Sequence, residues 1–100
     1  MPSLNEDQKK VIKENKQVIE KRIHRSACFQ RVFRGADGEL ALGEIDKLCG
    51  MRNDTFDPDP YVSAYNAGRR SVGIFIDNCI NEDVEKAREM LKDAEKKTTN

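Results

Sequence analysis

The amino-acid sequence predicts an all-α protein: a small helical domain with a long N-terminal helix that projects for assembly. Three observations carry the prediction. From Ser3 to Arg34 there is neither Gly nor Pro, so nothing in that stretch interrupts a helical backbone. Farther along, apolar residues recur at spacings of three and four, the period of a helix face. Residues 35–38 and 51–59, rich in Gly, Asp, Asn and Pro, separate the periodic runs and read as connections.

The first helix is expected from about Leu4 to Arg34. Ser3 followed by Glu6 fits a capping box, in which each side chain satisfies a backbone N–H of the other residue. The apolar residues fall on two heptad rows, one of Leu4, Val11 and Val18 and one of Ile12 and Ile19, with Ser26 and Phe33 continuing the second. This stripe is narrow at first and widens at Phe29, Val32 and Phe33. A narrow seam buries only against another helix. Residues 1–27 are therefore expected to project toward a partner, residues 28–97 to form a compact helical domain, and residues 98–100 to be a tail. Leu4, Val11, Ile12, Val18 and Ile19 are the candidate interaction residues of the arm. The plainer reading of the same pattern is a solvated helix with a frayed start.

After a turn at Gly35–Gly38, a short helix is expected from Glu39 to Cys49, with Leu40, Ile45, Leu48 and Cys49 inward and Gly50 closing its C-terminus. Between Met51 and Asp59, Asn and Asp side chains compete with the helical backbone for hydrogen bonds, so this stretch is a loop, with Phe56 as its anchor to the core. Asp59 and Pro60 are an N-cap and first-turn pair. The central helix they open carries Tyr61, Tyr65, Gly68, Val72, Phe75 and Ile76 at helical spacing. Gly68 and Gly73 weaken a helix interior and are read as places where another helix comes close. Asn81 then caps a last helix reaching about Lys97, whose Val84, Met90 and Leu91 can cover a core edge but cannot found one.

No residue set nominates an active site, so neither catalysis nor a cofactor is expected. If Gly38 is set at the sixth place of a calcium loop, Asp37 and Glu44 fall at ligand places, but the first and third places are Phe33 and Gly35, which offer no side-chain oxygen. His24, Cys28, Cys49 and Cys79 would suit zinc by type. Their spacing matches no compact zinc module, and the cysteines sit where helical periodicity calls for small core residues. The thiols are thus expected to be reduced, with no metal bound. No apolar run approaches a membrane span and the N-terminus lacks a signal-peptide layout, so the chain is expected to stay in the cytosol where it is made.

With 36% charged residues, 37% apolar residues and no Trp, the composition is that of exposed helices, and one hundred residues bury one small core at best. Net charge is zero but unevenly placed. Residues 1–35 hold nine Lys/Arg against four Asp/Glu, and residues 36–60 hold two against seven, an imbalance that suggests mutual attraction within a chain or between neighbours. Arg69, Arg70 and the lysines of the first helix could contact phosphates, yet a neutral chain favours a salt-bridged, solvated face over a nucleic-acid partner.

The run Phe56-Asp57-Pro58-Asp59-Pro60-Tyr61, followed by Ala64-Tyr65-Asn66-Ala67-Gly68-Arg69-Arg70-Ser71-Val72 and Ile76, resembles the core motif of a small family of tailed-phage and prophage proteins first recognised in a Bordetella phage. The resemblance covers roughly residues 28–80. Phe56, Asp59, Pro60, Tyr61, Tyr65 and Gly68 are its structural residues: Asp59 and Pro60 set the helix start, Tyr61 and Tyr65 seal its first turns, and Gly68 admits a crossing helix. Arg69 or Arg70 would reach back to the acidic loop at Asp54, Asp57 or Asp59, and both are counted among the interaction residues. Membership implies a phage setting and no known activity. The expected function is a minor structural or morphogenetic component of the particle, internal, portal-proximal or of the ejection type. It would be made in the host cytoplasm, carried in the virion, and act as a homo-oligomer among other phage structural proteins. The alternative is a small phage-encoded regulator that binds a host or phage protein.

Overall fold

The structure is a computed structural model that describes residues 3–98, with side chains through Lys96. All regular structure among these residues is helical: α1 (Glu6–Val32), α2 (Gly35–Leu48), α3 (Pro60–Asn81) and α4 (Val84–Thr98). Of the tail expected at 98–100, Thr98 ends α4 and the last two residues lie outside the described ones.

The helix starts show which capping signals prevail. In α1 the box is formed by Asn5 and Gln8, two residues on from the expected Ser3 and Glu6: Gln8 N donates to Asn5 Oδ1 at 2.7 Å and Asn5 N donates to Gln8 Oε1 at 3.0 Å. This register leaves Glu6 and Asp7 in the first turn, where carboxylates oppose the positive helix end. At α3 the expected cap is present, with Tyr61 N donating to Asp59 Oδ1 at 2.9 Å and Pro60 in the first turn. Asn81, expected to cap the last helix, instead ends α3. Asp83 caps α4, accepting from Lys86 N at 3.1 Å.

Residues 35–38 are the first turn of α2 and not a separate connection, because the reversal is made by Gly35 alone, at φ +83°. Gly38 lies against the Phe33 backbone, with the Phe33 oxygen 2.7 Å from where a Cβ would stand. The inward face of α2 is Leu42, Ile45, Asp46 and Cys49, whereas Leu40 and Leu48, expected inward, are exposed. Cys49 sets the phase by packing on α3, and Leu40, nine residues earlier, falls half a turn round the helix from it. Gly50 closes the helix as expected, at φ +66°.

The chain falls into two compact units, Met1–Ser26 with Asp83–Asn100, and Ala27–Glu82. The last helix thus groups with residues 1–26. In the first unit α1 and α4 run antiparallel, tied by Lys16 Nζ and Glu95 Oε1 at 2.8 Å. Ile12 and Ile19 are half-buried and line one shallow cavity with Leu91 and Ala94, and Ile23, Ser26 and Val84 are buried. In the second unit Phe29 meets Phe75 edge-on, centroids 5.9 Å apart, and Gln30 Nε2 donates to the carbonyls of Cys79 and Glu82 at 3.1 and 2.8 Å.

Candidate interaction surface

The loop before α3 is built by its own acidic side chains. Phe56 N donates to Asp54 Oδ1, Asp59 N to Asp57 Oδ1 and Tyr61 N to Asp59 Oδ1, at 2.9 to 3.0 Å, so each Asp fixes the backbone two residues on. Ser63 Oγ accepts from Asp57 N at 2.8 Å and donates to Thr55 O at 3.2 Å, stitching the loop to the first turn of the helix. Because polar ties hold this loop, Phe56 is not its core anchor. Phe56 is 74% exposed.

Arg69 and Arg70 turn toward the end of α2. Arg69 Nη1 donates to Leu48 O at 3.2 Å, its guanidinium passes beside Gly50, and it stands 5.4 Å from the Tyr65 ring centroid. Arg70 Nη1 donates to both Met51 O and Asn53 O at 3.2 Å. In place of the expected reach to Asp54, Asp57 or Asp59, both arginines make these carbonyl contacts at the end of α2. Beyond the arginines, Gly73 lies against the Met51 sulfur and 3.0 Å from the Cys49 Cβ, measured from an ideal Cβ position. Gly73 is therefore where the chain approaches α3 closely, while Gly68 has nothing within 4 Å of its Cβ position.

The charged side chains of α3 are Arg69, Arg70 and Asp77, and all three are half-buried on one side of the helix. Asp77 faces Asp46, and burial first and that carboxylate second hold its pKa above the ordinary 3.8. The exposed positions of α3 between Tyr61 and Phe75 are Tyr61, Val62, Ala64, Tyr65, Ala67, Gly68, Ser71, Val72, Ile74 and Phe75, with no charge among them. Tyr61 is 86% exposed and Tyr65 68%, so neither seals the helix start as expected.

The family model described as Bbp19-like phage protein matches residues 29–92. The chain belongs to this family. No curated protein and no solved structure matches it. The Bbp19-like segment begins at Phe29 and takes in the end of α1, all of α2 and α3, and the start of α4. It therefore contains the acidic loop, the arginine pair and the exposed positions of α3. Of the arm residues outside it, Ile12 and Ile19 lie beside α4, Leu4 is half-buried, and Val11 and Val18 are 54% and 67% exposed.

Among the described residues Cys49 and Cys79 are buried and Cys28 is half-buried, none of them in a disulfide, and Cys28 Sγ accepts from Arg31 Nη2 at 3.1 Å. No helix among those residues is long and apolar enough to cross a membrane. Val62 and Ile74 are the surface residues that sequence reasoning passed over. Their signal was legible: the three charges of α3 sit within about a quarter turn of one another, which leaves the rest of a long helix uncharged.

Proposed function

We propose that this Bbp19-like phage protein is a minor structural or morphogenetic component of a tailed-phage particle, working by multi-copy helical packing and not by catalysis. One observation carries the reading. Among the described residues the buried apolar side chains are Ile23 and Val84 in one unit and Cys49 and Cys79 in the other, while thirteen large apolar side chains stand exposed. Single exposed apolar residues are ordinary, but a continuous uncharged face along a helix marks a surface that works covered. The loop carboxylates and the arginine pair hydrogen-bond the chain's own backbone, as groups that hold a surface in place do.

Immunodetection in infected cells and in gradient-purified particles tests the proposal. The protein is expected in both, at a fixed ratio to the major capsid protein. A protein abundant in lysates and missing from particles is the outcome of the regulator reading, and it overturns this one.

A further inference from the structure

We infer that the lysine-bearing face of α1 turned away from α4 docks the acidic loop, Asp54 to Asp59, of a second copy of this chain. The inference rests on the multi-copy reading and names the contact that joins the copies.

In α1, Ile12, Ile19 and Ile23 lie beside Leu91 of α4. At about 3.6 residues per turn, Lys10, Gln17 and Lys21 fall on the opposite side of the helix, with Lys13 at its edge. These four are spaced three, four and four residues apart and are all exposed. Lys9 is tied to Glu6, and Lys16 to Glu20 and Glu95, but no ion pair among the described residues takes Lys10, Lys13 or Lys21. Glu14 borders the row, and Val11 and Val18 stand exposed along the same edge. Such a face fits an anionic surface that also carries apolar side chains.

The chain itself has that surface. Residues 53–62 hold three Asp and no Lys or Arg. Asp54, Asp57 and Asp59 each use Oδ1 to accept from the loop backbone, and no ion pair among the described residues takes any of them. Phe56 and Tyr61 stand exposed beside them. Three unpaired lysines thus match three unpaired aspartates, and a net charge of zero leaves no surplus of either sign for a different polyion. In length the two also agree. The row from Lys10 to Lys21 is about 17 Å long, and the five residues from Asp54 to Asp59 reach at most about 17 Å.

Row and loop belong to different compact units, so the contact is heterologous: a loop of one copy on the row of the next. Each contact leaves one row and one loop open, and the arrangement continues into a ring or a filament. Exposed ion pairs are individually weak and screened by salt, so association is concentration-dependent and salt-sensitive.

Light scattering after size exclusion tests the inference, with full-length protein at about 100 μM in about 20 mM and about 500 mM salt. Wild type is expected to associate in low salt and to be a monomer in high salt. The row variant is Lys10→Glu with Lys13→Glu and Lys21→Glu. The loop variant is Asp54→Asn with Asp57→Asn and Asp59→Asn, whose amide oxygens still accept from the backbone. Each variant alone is expected to be a monomer with the circular dichroism of wild type. Mixed in low salt they should form a one-to-one dimer and nothing larger, because one keeps an intact loop and the other an intact row. A row variant that still associates alone overturns the contact, as does a mixture of folded variants that stays monomeric; if the loop variant unfolds, the row variant decides. A wild type that stays monomeric in low salt yet binds heparin overturns the choice of a second copy as occupant. Particle association is measured separately, so a monomer found in virions would sink this inference and leave the proposed function standing.

Discussion

Arg70 holds two carbonyls at once, those of Met51 and Asn53, and so fixes the path by which the chain leaves α2. Hydrogen bonds from a charged donor contribute more than neutral ones, and removing the donor strands both acceptors. Arg70→Ala should cost about 1–2 kcal/mol, seen as a lower denaturant midpoint with an unchanged slope. An unchanged midpoint would make the contact ornamental. The two glycines of α3 give a sharper comparison, because the same residue type sits in opposite surroundings. Gly73→Leu would drive a side chain into Met51 and Cys49 and should destabilise by about 1–3 kcal/mol, while Gly68→Ala should stabilise by about 0.5–1 kcal/mol through helix propensity. Thermal melts that rank the pair the other way would show that the wrong glycine has been assigned to the close approach. Asp77 supplies a pH dependence. Its raised pKa means that the folded chain binds the proton more tightly, so this stability is present below 3.8 and is lost as pH rises through the raised value. Asp77→Asn removes the loss, and its melting temperature should exceed that of wild type at about pH 7 and converge with it at about pH 3. A variant less stable at neutral pH would contradict that sign.

Among the elements, α3 was legible in the sequence at its start, because Asp59 and Pro60 admit one reading, whereas α1 and α4 were displaced by neighbouring residues that satisfy the same rule. Ser3 with Glu6 and Asn5 with Gln8 both fit a capping pattern, and only the structure shows that the second pair forms it. The phase of α2 was hidden for a related reason. Leu40 and Leu48 are more apolar than Asp46, yet Cys49 packed on Gly73 turns Asp46 inward and both leucines out. Of the candidate surface, the residues were visible and their roles were not, since Arg69, Arg70 and Tyr65 read equally well as contacts to a partner or to the chain itself. The two heptad rows of α1 likewise divide: Ile12 and Ile19 lie beside α4, and Val11 and Val18 are exposed. Ile19→Asp should therefore free α4, exposing its Lys and Arg residues to limited proteolysis with trypsin, and Val18→Asp should leave the digestion pattern of wild type. Equal protection of both variants would mean that the pairing of α1 with α4 does not depend on that row.

At the scale of the whole molecule, the net charge is zero, and among the described residues few apolar side chains are buried and thirteen large ones are exposed. On the proposed function such a chain would reach its working state in an assembly, where local concentration offsets the weakness of each contact. The chain belongs to the Bbp19-like phage protein family, and the proposed place of that assembly is the phage particle. The most direct test is quantitative mass spectrometry of gradient-purified particles. Several copies of this chain per particle are expected, in constant ratio to the capsid protein across preparations. Its absence from particles whose infected cells contain it in quantity would contradict the proposed function.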